Sequence, residues 1–89
     1  MKTISVVECL AQNKTIRSVF RALFKENQQG KLGISIASLS EMTGIERHRL
    51  VGILDVLVVL GILVVFEIGM AKAFAPSPLL MQMKDLLKM

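Results

Sequence analysis

The sequence predicts a mainly α fold closed by a small β-hairpin. Three observations carry that reading. Apolar residues recur at helical spacing over residues 14–27 and again over 46–60. After Gly61 the pattern changes to a β-branched and aromatic run over residues 62–68. Gly69-Met70 then fits a two-residue type II′ turn, which takes glycine first.

The elements follow in order. Residues 3–12 place Ile4, Val7 and Leu10 on one face of a short helix. Asn13 is a good N-cap for a second helix over residues 14–27, with Ile16, Val19, Phe20, Leu23 and Phe24 as its apolar face. A turn containing Gly30 and Gly33 follows, and Ile34-Ser35-Ile36 reads as a minimal strand. A third helix starts near Ala37 and stops at Gly44, a position suited to left-handed backbone. A fourth covers residues 46–60, burying Leu50, Ile53, Leu54, Leu57 and Leu60. The turn at Gly69-Met70 sets Ile68 opposite Ala71, Glu67 opposite Lys72 and Phe66 opposite Ala73, so the hairpin's two charges face each other. Pro76-Ser77-Pro78 closes the hairpin. Residues 79–88 read as a last helix with Leu79, Leu80, Met83, Leu86 and Leu87 apolar.

Composition narrows the function. A chain of 89 residues makes a single domain, residues 1–89. With 53% apolar and 20% charged residues it is no disordered tail. A net charge of +4 permits an anionic partner without requiring one. The single cysteine, Cys9, excludes an intrachain disulfide and a cysteine-cage zinc site, and His48 is the only histidine. No metal, cofactor or enzymatic activity is expected. Residues 50–66 are strongly apolar but carry Asp55 and fall short of the about 20 residues a membrane span needs. The start Met1-Lys2-Thr3-Ile4 has no signal-peptide pattern, so a cytoplasmic location without membrane association is the default. Cys9 reads as a small buried hydrophobe, with a redox sensor as the alternative.

One charge pattern stands apart. Lys14, Arg17, Arg21 and Lys25 fall on one arc of the second helix, opposite Ile16, Phe20 and Leu23. Such a stripe can track a phosphate backbone, or be an ordinary solvated face.

Residues 39–64 resemble the core of a winged helix-turn-helix domain, as in small archaeal and bacterial transcriptional regulators. Leu39, Ile45, Leu50 and Ile53 stand where that pattern takes apolar residues. Ser40 and Gly44 stand where it takes a small residue and a glycine, and Leu60-Gly61-Ile62-Leu63-Val64 resembles the entry into the wing. The likeness spans residues 14–75, leaving 3–12 and 79–88 as accessory helices. It implies a DNA-binding transcription regulator that inserts helix 46–60 into the major groove of double-stranded DNA. Carried over by position, Arg47, His48, Arg49 and Gly52 would meet base edges, and Lys72 is the basic residue of the wing. The resemblance also implies a homodimer built on the terminal helices through Ile4, Val7, Leu79, Leu80, Met83, Leu86 and Leu87. The same leucines can instead dock on the chain's own core.

Some residues depart from the pattern. Glu46 replaces the usual hydroxyl cap, which suits the helix dipole but repels phosphate. Asp55 faces outward. Val51, Val56, Val58 and Val59 stand where DNA readers carry polar or basic side chains, and an exposed valine surface marks a binding patch. The alternative expectation is therefore a winged-helix interaction module that docks this face on another protein without binding DNA.

Overall fold

The computed structural model describes residues 6–89. Its elements are helices α1 (Val6–Ala11) and α2 (Lys14–Gln28), strand β1 (Ile34–Ser35), helices α3 (Ile36–Thr43) and α4 (Arg47–Val59), strands β2 (Leu63–Ile68) and β3 (Ala71–Pro76), and helix α5 (Pro78–Gln82). The described residues are thus mostly helical, with one small antiparallel sheet in the order β1-β3-β2. Among them no helix is long and apolar enough to cross a membrane.

Local chemistry sets the helix boundaries. The Asn13 side chain accepts hydrogen bonds from the backbone N–H of Thr15 at 3.0 Å and Ile16 at 3.2 Å, starting α2 where expected. Val19, Phe20, Leu23 and Phe24 on its apolar face are buried. Ser35 Oγ accepts from Ser38 N–H at 3.1 Å and opens α3, so Ile36, expected in the strand, begins a helix instead. Gly44 ends α3 in the left-handed region at φ 74°, a conformation costing other residues about 1–2 kcal/mol.

The turn from α3 to α4 is tied by hydroxyls. Ser40 Oγ donates to the carbonyl of Ile45 at 2.7 Å. Thr43 Oγ1 donates to the Leu39 carbonyl at 2.6 Å and accepts from Ile45 N–H at 3.3 Å. Leu50, Leu54 and Leu57 then anchor α4 in the core, which Phe20, Leu23, Leu39 and Ile62 also fill. Leu60 was expected in that row but is half exposed. It caps α4, Gly61 turns the chain at φ 76°, and Ile62 takes the core place instead.

The hairpin register is the expected one: Ile68 faces Ala71, Glu67 faces Lys72 and Phe66 faces Ala73. Gly69 leads the turn at φ 63°. β1 adds to the far side of β3 through Ile34 opposite Phe74 and Ser35 opposite Ala73. This close approach needs Gly33, where a Cβ would lie 2.9 Å from that of Ala73.

The C-terminal segment departs from expectation. Residues 79–88 are not one helix: α5 stops at Gln82, and turns carry the chain to Lys88. The segment runs antiparallel along α2, and docking there overrides its helical spacing. Asn27 Nδ2 donates to Met81 Sδ at 3.7 Å. Lys84 Nζ lies 5.7 Å from the centroid of the Phe24 ring. Arg17 donates to the Leu87 carbonyl at 3.2 Å, while Leu80 and Leu87 join the core. At the other end, α1 buries Val7 and Ala11, one turn apart, which turns Cys9 outward. Cys9 is exposed, not the buried hydrophobe its composition suggested.

Candidate nucleic-acid interface

Glu46 shapes the front of α4. Its carboxylate accepts from the N–H of His48 at 3.2 Å and of Arg49 at 3.4 Å, satisfying donors that the helix start leaves unpaired. The acid is thereby directed at its own backbone. Arg47, His48 and Arg49 are all exposed on the first turn. Gly52, one turn beyond His48, is exposed too, and a Cβ there would meet nothing within 4 Å. Its bare backbone leaves open space between His48 and Val56. Arg49, Gly52 and Val56 border a shallow, mostly apolar cavity of about 410 Å³, whose far wall is Leu10 of α1 and Ile16 of α2.

The four cations of α2 separate into two groups. Lys14, Arg21 and Lys25 are exposed. Arg21 and Lys25 border a second hollow of about 350 Å³ with Ser18 and with Met42 of α3, so they flank the helix that precedes α4. Arg17 is half-buried and engaged within the chain. Its guanidinium donates to the Ala11 carbonyl at 3.4 Å and the Leu87 carbonyl at 3.2 Å. The expected phosphate-tracking stripe therefore has a gap at Arg17, which acts as a clamp on the C-terminal segment. Sequence spacing puts Arg17 on the stripe. Only the fold brings residue 87 to it.

Lys72 stands elsewhere. It is exposed on β3 opposite Glu67, in a hollow of about 470 Å³ shared with Lys31, Glu26 and Glu41. Glu26 is nine-tenths buried, and its Oε2 lies 2.7 Å from Lys31 Nζ. Sequence spacing does not show that pair: residue 26 lies on the buried arc of α2, and only the turn at Gly30 brings Lys31 back to it. Lys72 thus has acidic neighbours, and it lines a different hollow from Arg21 and Lys25.

The valine face is partly as expected. Val59 is 85% exposed, Val56 56% and Val51 38%, whereas Val58 is half-buried and packs on the core. Asp55 is exposed among them. Of the residues expected at a dimer interface, Val7, Leu80 and Leu87 are buried within the chain and Met83 packs partly against the core. Leu79 and Leu86 stay exposed, and Ile4 lies outside the described residues. The C-terminal segment turns Leu80 and Leu87 into the core and leaves Leu79 and Leu86 outside.

Among the described residues no group of His, Cys, Asp and Glu is arranged to hold a metal ion. Compared with models of protein families, with curated proteins and with solved structures, the chain matches none.

Proposed function

We propose that this chain is a DNA-binding transcription regulator of the winged helix-turn-helix type, acting in the cytoplasm as a homodimer without enzymatic activity. In this reading α4 enters the major groove and its first turn meets base edges. The observation that carries it is the exposed Arg47-His48-Arg49 turn on a helix held from behind by Leu50, Leu54 and Leu57. Arginine bonds guanine bidentately or clamps phosphate, and an exposed first turn is the part of such a helix that reaches a groove. The Gly44 turn before α4 and the small β1-β3-β2 sheet are compatible with a wing-like arrangement. Lys14, Arg21 and Lys25 would hold the backbone, with Arg17 left to the fold. Lys72 contributes less in this reading, because Glu67 stands opposite it.

Salt dependence tests the reading. Each phosphate neutralised adds about −0.9 to the slope of log affinity against log salt. Contacts from Lys14, Arg21, Lys25 and an α4 arginine predict a slope of about −3 to −4 for a mixed-sequence duplex, measured by fluorescence anisotropy. An Arg21→Ala/Lys25→Ala variant should flatten it by about 2. Absence of binding at low salt would overturn the proposal.

The exposure of Val51, Val56 and Val59 favours a second reading, in which α4 docks on another protein and never enters a groove.

A further inference from the structure

The cations of this chain are unevenly placed. The C-terminal segment carries Lys84 and Lys88, and it lies along α2 from Asn27 through Phe24 to Arg17. At about 100° per residue, Arg17 and Phe24 each stand within roughly 60° of Arg21 on the α2 surface. The segment therefore docks beside the row of Lys14, Arg21 and Lys25. Lys84 is at the level of Phe24, and Lys88 directly follows the Leu87 carbonyl that Arg17 holds. Lys88 is exposed, and Lys84 is half-buried with its ammonium over the Phe24 ring.

The acids stand elsewhere. Along α2 and this segment, six Lys and Arg are set against Glu26 and Asp85. Glu26 is buried and paired with Lys31, which leaves Asp85 as the one exposed acid of the two segments. In the other described residues four Lys and Arg are set against five Asp and Glu, and α4 with its cap balances Arg47 and Arg49 by Glu46 and Asp55. The positive excess of the molecule is thus gathered on one flank, and such a concentration is the electrostatic footprint of an anionic polymer.

We propose that this flank is the main backbone contact of the duplex, with Lys84 and Lys88 as phosphate contacts beside Lys14, Arg21 and Lys25. The inference rests on the DNA-binding reading above and adds the C-terminal segment to it. A duplex is a linear polyanion with one charge per about 1.7 Å of axis, so an elongated row of cations suits it. Lys14 and Lys25 stand eleven residues apart on one helix, about 16 Å. Lys84 and Lys88 make a shorter row that runs the opposite way at its side. Arg17 gives its guanidinium to the Leu87 carbonyl, and the segment it holds brings two lysines to the flank from which its own charge is withdrawn.

Salt titrations of the full chain on a mixed-sequence duplex, followed by anisotropy, test it. Two further phosphate contacts steepen the expected slope by about 2, to roughly −5 to −6. Lys84→Gln and Lys88→Gln should each flatten it by about 0.9, and equally on a duplex of unrelated sequence, since phosphates carry no sequence information. Lys72→Gln removes the same charge from beside Glu67 and should change the slope by less than about half as much. Lys84→Arg keeps both the charge and the ring contact and should hold the parent slope, which separates a lost phosphate contact from a loosened segment. Unchanged slopes in Lys84→Gln and Lys88→Gln, with Arg21→Ala/Lys25→Ala still flattening the plot, would remove the C-terminal segment and leave the DNA reading. Equal changes at positions 72, 84 and 88 would reduce the effect to net charge and overturn the flank. Polyglutamate that competes as well as an equally charged duplex would mark a general anion surface and overturn it too. Absence of binding at low salt overturns both the flank and the DNA reading.

Discussion

Replacing Arg47 and Arg49 together by alanine should weaken binding to duplex DNA by about 30-fold or more. Each arginine that contacts a base contributes about 1–3 kcal/mol, and 1.4 kcal/mol is tenfold in affinity. Both side chains are exposed, and the Glu46 cap bonds backbone N–H groups that the substitutions leave in place. Exposed substitutions of this kind change stability by about 0.5 kcal/mol or less, so the thermal midpoint should stay within a few degrees. Anisotropy with a labelled duplex and a parallel melting curve read the two effects separately. Unchanged affinity in a folded variant would remove α4 from the interface and shift weight to the valine face.

A second large effect concerns what holds α4 in place. Leu54 is fully buried between Leu50 and Leu57, at the centre of the row that seats the helix. Leu54→Ala should cost about 2–5 kcal/mol, the transfer term plus a cavity that the packed neighbours fill only in part. A domain of this size has roughly 5–10 kcal/mol in total, so the melting midpoint should fall by about 10 °C or more. Circular dichroism on heating measures it. Loss below about 1 kcal/mol would mean that α4 is not seated on the core through this face.

The helix rows, the Asn13 cap, the Gly44 stop and the hairpin register were legible because each depends on residues near one another in sequence. Spacing names the buried face of α2, and a two-residue turn at Gly69-Met70 fixes every pair in the hairpin. Contacts between distant segments were not legible. Arg17 has the spacing of a DNA-facing cation, yet its partners are the carbonyls of Ala11 and Leu87. Residues 79–88 have helical spacing, yet packing against Phe24, Asn27 and Arg17 shapes them as turns. Leu60 lost its core place to Ile62 because backbone geometry at Gly61, and not hydropathy, decides which residue turns inward. The front of α4 was readable as a candidate since Arg47, His48 and Arg49 precede the first buried leucine. The acidic neighbours of Lys72 required the folded chain.

The central claim is that the first turn of α4 is the surface that meets duplex DNA. Backbone amide shifts recorded by NMR during titration with a short duplex test it most directly. Perturbations should concentrate at residues 46–52, with a second set near Arg21 and Lys25. Shifts confined to the Val56–Val59 side, or none under low salt, would contradict it.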